Sequence, residues 1–283
     1  MDKEFYIGWQ PMAPDGFAGM VRKAVTVIAI GVVAGAGLLA LQQKKFSTSN
    51  FEFGQLTEVR GIYQSLPVPS LRMVTSRDAF GNQSWMTMPL AGYGKFGAEG
   101  VMAALEKEKN ISLDGKELTL KGTLLYSDGK TLLQVDINDH PLVKVNESAT
   151  GIGIPARKEL GQVKLTGEVL DPKCYFGVMK PGYGKPHRDC AIRCIAGGMS
   201  PVFWVHDDSG SSAYYLLLDE NGNKMNEELQ DHIAEPVSLE ARAVQVDDWT
   251  VLYVNKSSIR RTGGISWFKQ QDKTVSCGPV PAD

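Results

Sequence analysis

Hydrophobic and polar positions divide this chain into one continuous apolar segment near the N-terminus and many short segments in which apolar and polar residues alternate. The apolar segment, residues 24–41, has no charged side chain and lies between Arg22-Lys23 and Lys44-Lys45. At about 1.5 Å per residue it spans the hydrocarbon core of a bilayer, so it predicts one transmembrane helix. A cleaved signal peptide is the alternative, but the preceding tail is long and lacks a small-x-small cleavage site before the polar flank.

The tail before this segment, residues 1–23, combines aromatic side chains with prolines, which is typical of a segment lying at the headgroup level of a membrane. Lysine and arginine are nearly balanced on the two flanks of the apolar segment, so the positive-inside rule does not fix the orientation. A short tail before a single anchor and a large C-terminal region favour soluble domains outside the cytoplasm. We therefore expect a single-pass cell-membrane protein with its domains on the periplasmic side.

Beyond a polar linker, residues 42–55, the alternating segments form an imperfect internal repeat. Residues 117–136 align without gaps on residues 236–255, and each stretch predicts a strand, a tight turn and a second strand. The turns fall at Asp128-Gly129 and at Asp247-Asp248, and a glycine interrupts the first strand of each copy, at Gly61 and at Gly167. The sequence predicts two β domains, 56–150 and 151–264, followed by a C-terminal tail, 265–283.

The order of predicted elements resembles the OB-fold, a small five-stranded barrel. In both copies a short helical candidate, residues 98–109 or 227–233, precedes the closing hairpin. Because five short strands cannot bury both faces as a flat sheet, closure into a barrel is the natural solution, although a sandwich is an alternative. The predicted fold class is mainly β with one N-terminal transmembrane helix and two tandem small OB-like β-barrels. The haem-binding His-x-x-x-Tyr of membrane-anchored OB-type haem chaperones is absent.

Composition and charge narrow the classes of function. The chain is 43% hydrophobic and 22% charged with a formal net charge of -2, which provides no bulk attraction to nucleic acid. It contains no P-loop, HExxH or G-x-S-x-G motif and no recognisable pair of nucleophile and base. These observations argue against an enzyme and predict no nucleic-acid partner.

The second copy differs from the first by an insertion, residues 171–200, that contains three of the four cysteines. Cys190 and Cys194 are spaced i and i+4 on a predicted helix capped by Asp189, so both thiols lie on one face. A turn at residues 181–184 can return Cys174 to these thiols, and His187 lies one turn upstream. Four nitrogen and sulfur ligands of this kind suit zinc or copper. The predicted metal site comprises Cys174, His187, Cys190 and Cys194.

Two other interpretations of the insertion stay open. In an oxidising compartment the cysteines would form disulfides or act as redox thiols, with Cys174 paired to Cys190 or Cys194 and with Cys277 available for a longer bridge. Neighbouring cations and a helix N-terminus would lower the pKa of the thiols. The basic residues also predict a site that docks an anion or an acidic partner, formed by Lys180, Lys185, Arg188 and Arg193.

These observations lead to two hypotheses for function. In the first, the protein is an accessory or assembly subunit of a larger membrane complex, such as a respiratory or electron-transfer complex. Its partners are then other membrane proteins and, through residues 24–41, the lipid bilayer. In the second, it is a metal-binding or thiol-redox protein, similar to a metallochaperone, that works through the Cys/His insertion. No cofactor other than zinc or copper is indicated.

Overall fold

The computed structural model describes residues 15–43, 49–81, 83–146, 155–206 and 212–262. The chain divides into two compact units, Met1–Thr48 and Ser49–Asp283. The first contains an apolar helix, and the second is mainly β with two sheets. A mainly β fold with an N-terminal apolar helix is thereby confirmed.

The N-terminal helix α1 extends over Asp15–Gln43, and Asp15–Gln42 is long and apolar enough to cross a membrane, since an 18-residue stretch within it has a mean hydropathy of 2.5. It begins before the predicted segment 24–41, directly after Pro14, because residues 15–23 contain no proline to interrupt the helix. Asp15 lies in the first turn, where a negative charge favours the helix dipole. Part of the predicted interfacial tail is thus helical, and residues 1–14 lie outside the described range.

The β unit contains two sheets and two α-helices. The N-terminal sheet comprises β1 (Asn50–Phe51), β2 (Thr57–Gln64), β3 (Ser70–Arg77), β4 (Gln83–Gly92), β5 (Glu117–Ser127), β6 (Lys130–Val135) and β7 (Leu142–Asn146), with α2 (Glu99–Lys109) after β4. The C-terminal barrel comprises β8 (Arg157–Leu170), β9 (Val202–His206), β10 (Ser212–Asp219), β11 (Pro236–Val246), β12 (Trp249–Val254) and β13 (Arg260–Arg261), with α3 (Arg188–Ala196) between β8 and β9.

Five strands of the C-terminal barrel close on themselves in the order β8, β9, β10, β12, β11 and back to β8. Only the β10–β12 pair of these is parallel. The N-terminal sheet has the same order of pairings, from β2 through β3, β4, β6 and β5 to β2, again with the third pair parallel. Strand β1 lies inside the predicted linker 42–55 and extends this sheet by pairing with β5.

The strand register agrees with the internal repeat. Gly61 pairs with Leu118 and Gly167 pairs with Val237, two positions that the gapless alignment superposes. A Cβ atom at Gly167 would lie 2.3 Å from the carbonyl oxygen of Trp204. The equivalent atom at Gly61 would lie 2.7 Å from Met73 Cγ. Each glycine therefore permits close packing of the next strand. The helical candidates differ: residues 99–109 are helical, whereas residues 227–233 contain only the 3₁₀ turn Gln230–His232.

Three hydrophobic clusters fill the β unit, one inside each sheet and one between them. Strand β10 serves two clusters, because Leu217 faces the barrel interior while Leu216 and Leu218 face the N-terminal sheet. A strand buried on both faces forms a continuous apolar run. The outer face of β9, β10 and β12 is consequently covered by the same chain.

Polar contacts between the two sheets arise from their hairpin turns. Asp247, in the β11–β12 turn, accepts hydrogen bonds of 2.6 and 3.0 Å from Arg72 on β3. In the opposite direction Asp128, in the β5–β6 turn, accepts a hydrogen bond of 2.5 Å from the Tyr214 hydroxyl on β10. Trp249 donates its indole N–H to the Thr87 carbonyl at 2.9 Å. The equivalent turns of the two copies therefore each contact strands of the other copy.

Candidate metal centre

The insertion that follows β8 folds back on itself in short helical turns. It contains a π-helical turn at Cys174–Val178, a 3₁₀ turn at Lys185–His187 and then α3. At the bend, a Cβ atom on Gly182 would lie 2.6 Å from the Tyr175 Cα atom. Only glycine permits this approach, which returns Cys174 to α3. The predicted turn at residues 181–184 thus has the expected consequence.

Helix α3 positions two of the thiols. It covers Arg188–Ala196 and its C-cap is Gly197, followed by Gly198 with φ of 98°. Its N-cap is His187, which makes no capping side-chain bond, and Asp189 lies inside the first turn. The expected cap at Asp189 is therefore wrong: the preceding 3₁₀ turn leads directly into the helix, so the N-cap is His187 and the helix begins two residues earlier than predicted.

The structure places three of the four predicted ligands, Cys174, His187 and Cys190, within reach of one ion, while Cys194 belongs to a second group that shares Cys174. The Sγ atoms of Cys174 and Cys190 are 3.6 Å apart, and a ring nitrogen of His187 lies within 4.8 Å of both. A second group with the same spacing contains Asp171, Cys174 and Cys194. Because Cys174 belongs to both groups, the five side chains form one cluster. Whether they bind a metal stays a prediction.

The burial of His187 is the feature of the cluster that most strongly indicates a bound ion. His187 has no exposed surface, and neither ring nitrogen has a hydrogen-bond partner within the described part of the chain. Buried polar atoms are almost always satisfied, so an orphaned imidazole needs an explanation such as an ion. Burial lowers the pKa of His187, which favours the neutral form that binds metals. One carboxylate oxygen of the buried Asp171 is orphaned in the same way.

Two lysines complete the electrostatics of the cluster. Lys95, from the loop after β4 in the N-terminal sheet, donates to the Cys190 Sγ atom at 3.0 Å and lies 4.0 Å from the Cys194 Sγ atom. Lys173 is buried and donates to the carbonyls of Gly92 and Gly94 at 2.7 and 2.9 Å. The loop at residues 92–97 therefore joins the insertion through both lysines, and the cluster lies where the two sheets meet.

The thiol environment differs from the sequence expectation at Cys174. A hydrogen bond to Cys194, together with burial, raises the pKa of Cys174, whereas neighbouring cations were expected to lower it. The reason is that Lys173 directs its ammonium group toward backbone carbonyls of the other sheet. A cation bound directly to the sulfur would oppose this effect and favour the thiolate.

The insertion was also predicted to form disulfides or to dock an anion or a partner. The three described cysteines are free thiols, and the fourth, Cys277, lies outside the described residues. Among the residues predicted to dock an anion or a partner, Arg188 is paired with Glu235 at 2.5 Å. The other three are exposed, namely Lys180, Lys185 and Arg193. The disulfide and docking roles stay predictions.

Sequence reasoning missed Asp171 and Lys95. Asp171 directly follows the last residue of β8, and a single acidic residue after a strand does not by itself indicate a metal ligand. Lys95 is separated from Cys190 by 95 positions and belongs to the other copy of the repeat. Its glycine-rich surroundings, Gly92-Tyr-Gly-Lys95, predicted a turn but gave no indication of a contact with a thiol.

Comparisons with known proteins identify no family. No family model matches the chain, and no curated protein is similar to it. A search of solved structures found a deletion mutant of the single-stranded DNA binding protein from Thermus aquaticus, with 12% sequence identity and a TM-score of 0.20. The match covers 77% of this chain and 90% of that chain.

This finding corrects the expected partners. We expected membrane proteins and the bilayer and excluded nucleic acid, yet the structure found is that of a DNA-binding protein, and no comparison points to a membrane complex. The expected exclusion of nucleic acid depended on a net charge of -2, which averages over the whole chain and does not describe local basic groups such as Lys180 and Lys185. The hypothesis of an accessory subunit stays a prediction.

Proposed function

We propose that this chain is a membrane-anchored zinc-binding protein whose zinc site fastens the insertion at the junction of the two sheets. The orphaned, fully buried imidazole of His187 beside three thiols carries the proposal. Helix α1 is the anchor, since Asp15–Gln42 is long and apolar enough to cross a bilayer. The ligands are Cys174, His187, Cys190 and Cys194.

The spacing of the sulfurs supports a tetrahedral ion. With Zn–S bonds of about 2.3 Å, two sulfurs on a tetrahedron lie about 3.8 Å apart. The separation of 3.6 Å between Cys174 and Cys190 is close to that value and far from the roughly 2.05 Å of a disulfide. Geometry therefore favours two thiolates that share one ion.

Charge favours a divalent cation over copper(I). Three thiolates contribute three negative charges, and the ammonium group of Lys95 beside Cys190 compensates one of them. Asp171 and Lys173, whose charges interact in the same region, offset each other. The remaining two negative charges are compensated by one divalent ion, which a buried site requires because uncompensated charge there is costly.

The fold supports a functional role for the insertion. We propose that both sheets are OB-fold-like barrels, since each has the same closed order of five strands with one parallel pair. In such barrels the loop between the first and second strands contributes to ligand contacts. Residues 171–200 occupy this position in the C-terminal barrel, between β8 and β9. Because the outer face of that barrel is covered, the insertion and its metal become the main chemical feature of the unit.

Metal analysis tests the proposal. The full chain, purified in mild detergent from its native membrane, is expected to contain one zinc per chain by plasma mass spectrometry. His187→Asn removes a ligand and is expected to abolish retention, whereas His140→Asn is the matched control, because His140 is exposed and its left-handed φ of 50° suits asparagine. If the purified chain contained one copper and no zinc, the identity of the ion in the proposal would be wrong. Absence of metal, or equal retention by both variants, would overturn the proposal.

A further inference from the structure

We infer that Cys190 and Cys174 form a thiol–disulfide exchange site for disulfides of low-molecular-weight thiols, and that oxidation of this pair expels the zinc. The second half of this inference rests on the proposed function, because an ion must be present to be expelled. The first half requires only the two thiols and an external disulfide.

Accessibility selects the thiol that reacts first. Of the three described cysteines, Cys190 is partly exposed, whereas Cys174 and Cys194 are each 2% exposed. An external disulfide can therefore reach Cys190 while the other two sulfurs are shielded. The Lys95 ammonium group 3.0 Å from the Cys190 sulfur places positive charge where an anionic thiol is required.

The distance between the sulfur atoms indicates that Cys174 is the cysteine that forms a disulfide with Cys190. Cys174 Sγ is 3.6 Å from Cys190 Sγ, so a small rotation of the two side chains brings them to bonding distance. Cys194 follows Cys190 on the same helix at i+4, which is a poor geometry for a disulfide. The expected product therefore links the π-helical turn to α3.

The exchange takes place in two balanced steps. The Cys190 thiolate attacks one sulfur of the external disulfide R–S–S–R, forming Cys190–S–S–R and releasing one R–S⁻. The Cys174 sulfur then attacks the Cys190 sulfur, forming the Cys174–Cys190 bond and expelling the second R–S⁻, which takes up the Cys174 proton where that sulfur is not bound to zinc. Two electrons pass from the protein pair to the external disulfide, which is reduced to two thiols or thiolates. Two of the four zinc ligands are consumed, so the ion dissociates.

Peptide mapping tests the pair directly, with oxidised glutathione as the probe. The zinc-loaded full chain carrying Cys277→Ser is treated with the probe, alkylated and digested with trypsin. Lys173, Arg188 and Arg193 place the three cysteines on separate tryptic peptides. The expected result is a linked pair containing Cys174 and Cys190, together with release of one zinc detected by a chromogenic chelator. In metal-free protein, Cys194→Ser is expected to form the same pair and Cys190→Ser to form none.

The outcomes separate the two proposals. Zinc that is bound but neither released nor accompanied by the pair would overturn this inference while the proposed function stands. If the protein isolated from its native membrane already contains no metal and still forms the pair, the exchange is upheld, whereas the zinc release and the proposed function are both overturned. A linked pair containing Cys174 and Cys194 would overturn the assignment of the reactive thiol.

Discussion

Replacing Arg72 with methionine should remove the strongest polar contact between the two sheets. The side chains of Arg72 and Asp247 are each 1% exposed and share two hydrogen bonds, of 2.6 and 3.0 Å. The guanidinium carbon also lies 3.9 Å from the centre of the Trp85 ring. After Arg72→Met, Asp247 stays buried with the Ala156 N–H as a donor at 3.1 Å. Removing one partner of a buried ion pair costs about 3–5 kcal/mol, so the free energy of unfolding should fall by that amount.

The assay is urea unfolding of the full chain in detergent, followed by tryptophan fluorescence. Trp85, Trp204 and Trp249 all lie at or beside the junction of the sheets, so the signal reports on this region. The matched control is Arg60→Met, which breaks an ion pair whose arginine is 69% exposed and should cost at most about 1 kcal/mol.

A double variant isolates the interaction itself. Asp247→Asn keeps an acceptor for Ala156 and tolerates the left-handed φ of 50°, but it removes the charge. Arg72→Met combined with Asp247→Asn should therefore cost less than the sum of the single variants, with a coupling of about 1–3 kcal/mol. A cost for Arg72→Met no larger than that of Arg60→Met, or strict additivity in the double variant, would refute the reasoning.

Three further predictions concern other parts of the molecule. Burial raises the pKa of Glu168 to about 7 from 4.5, so the folded state keeps a proton that the unfolded chain loses in that interval. The free energy of unfolding should fall by on the order of 3 kcal/mol as the pH rises from about 4.5 to 7, and Glu168→Gln should flatten the profile; an unchanged slope would contradict this. Gly197→Ala places a Cβ atom 2.0 Å from the Lys95 carbonyl oxygen, so it should lower the free energy of unfolding in urea by about 1–3 kcal/mol. The control is Gly100→Ala on α2, where a Cβ atom would have no neighbour within 4 Å, and this variant should be neutral or stabilising. Alkaline carbonate should leave the chain in the membrane pellet because of α1, and its release into the supernatant would argue against an anchor.

Local patterns in the sequence predicted the paired hairpins of the two copies, but they did not predict strand β1 in the linker or the absence of an α-helix at residues 227–233. The hairpins β5–β6 and β11–β12 begin and end at positions that the gapless repeat superposes, since alternation and a two-residue turn specify a hairpin locally. Gly61 and Gly167 marked equivalent strands because close packing at those positions excludes a side chain. Strand β10 was equally visible as an apolar run, yet the run did not reveal that one face packs on the other sheet.

The candidate site was only partly predictable, because its members come from both copies of the repeat. The spacing of Cys190 and Cys194 on a helix is a local property, and so is the turn that returns Cys174. The burial of His187 depends on how the insertion packs against the sheets, and no local pattern specifies it. Lys95 reaches Cys190 only because the two sheets pack together. Such contacts depend on tertiary packing, and no short stretch of the sequence indicates them.

X-ray absorption at the zinc edge of the full chain purified from its native membrane tests the central claim most directly. We expect one zinc with three sulfur ligands at about 2.3 Å and one imidazole nitrogen at about 2.0–2.1 Å. In His187→Asn the nitrogen shell of any residual zinc should disappear, while His140→Asn should keep the spectrum of the unaltered chain. The zinc site would be contradicted if the zinc were coordinated by oxygen atoms only, or if His187→Asn left the spectrum unchanged. Protein that contains no metal would contradict it as well.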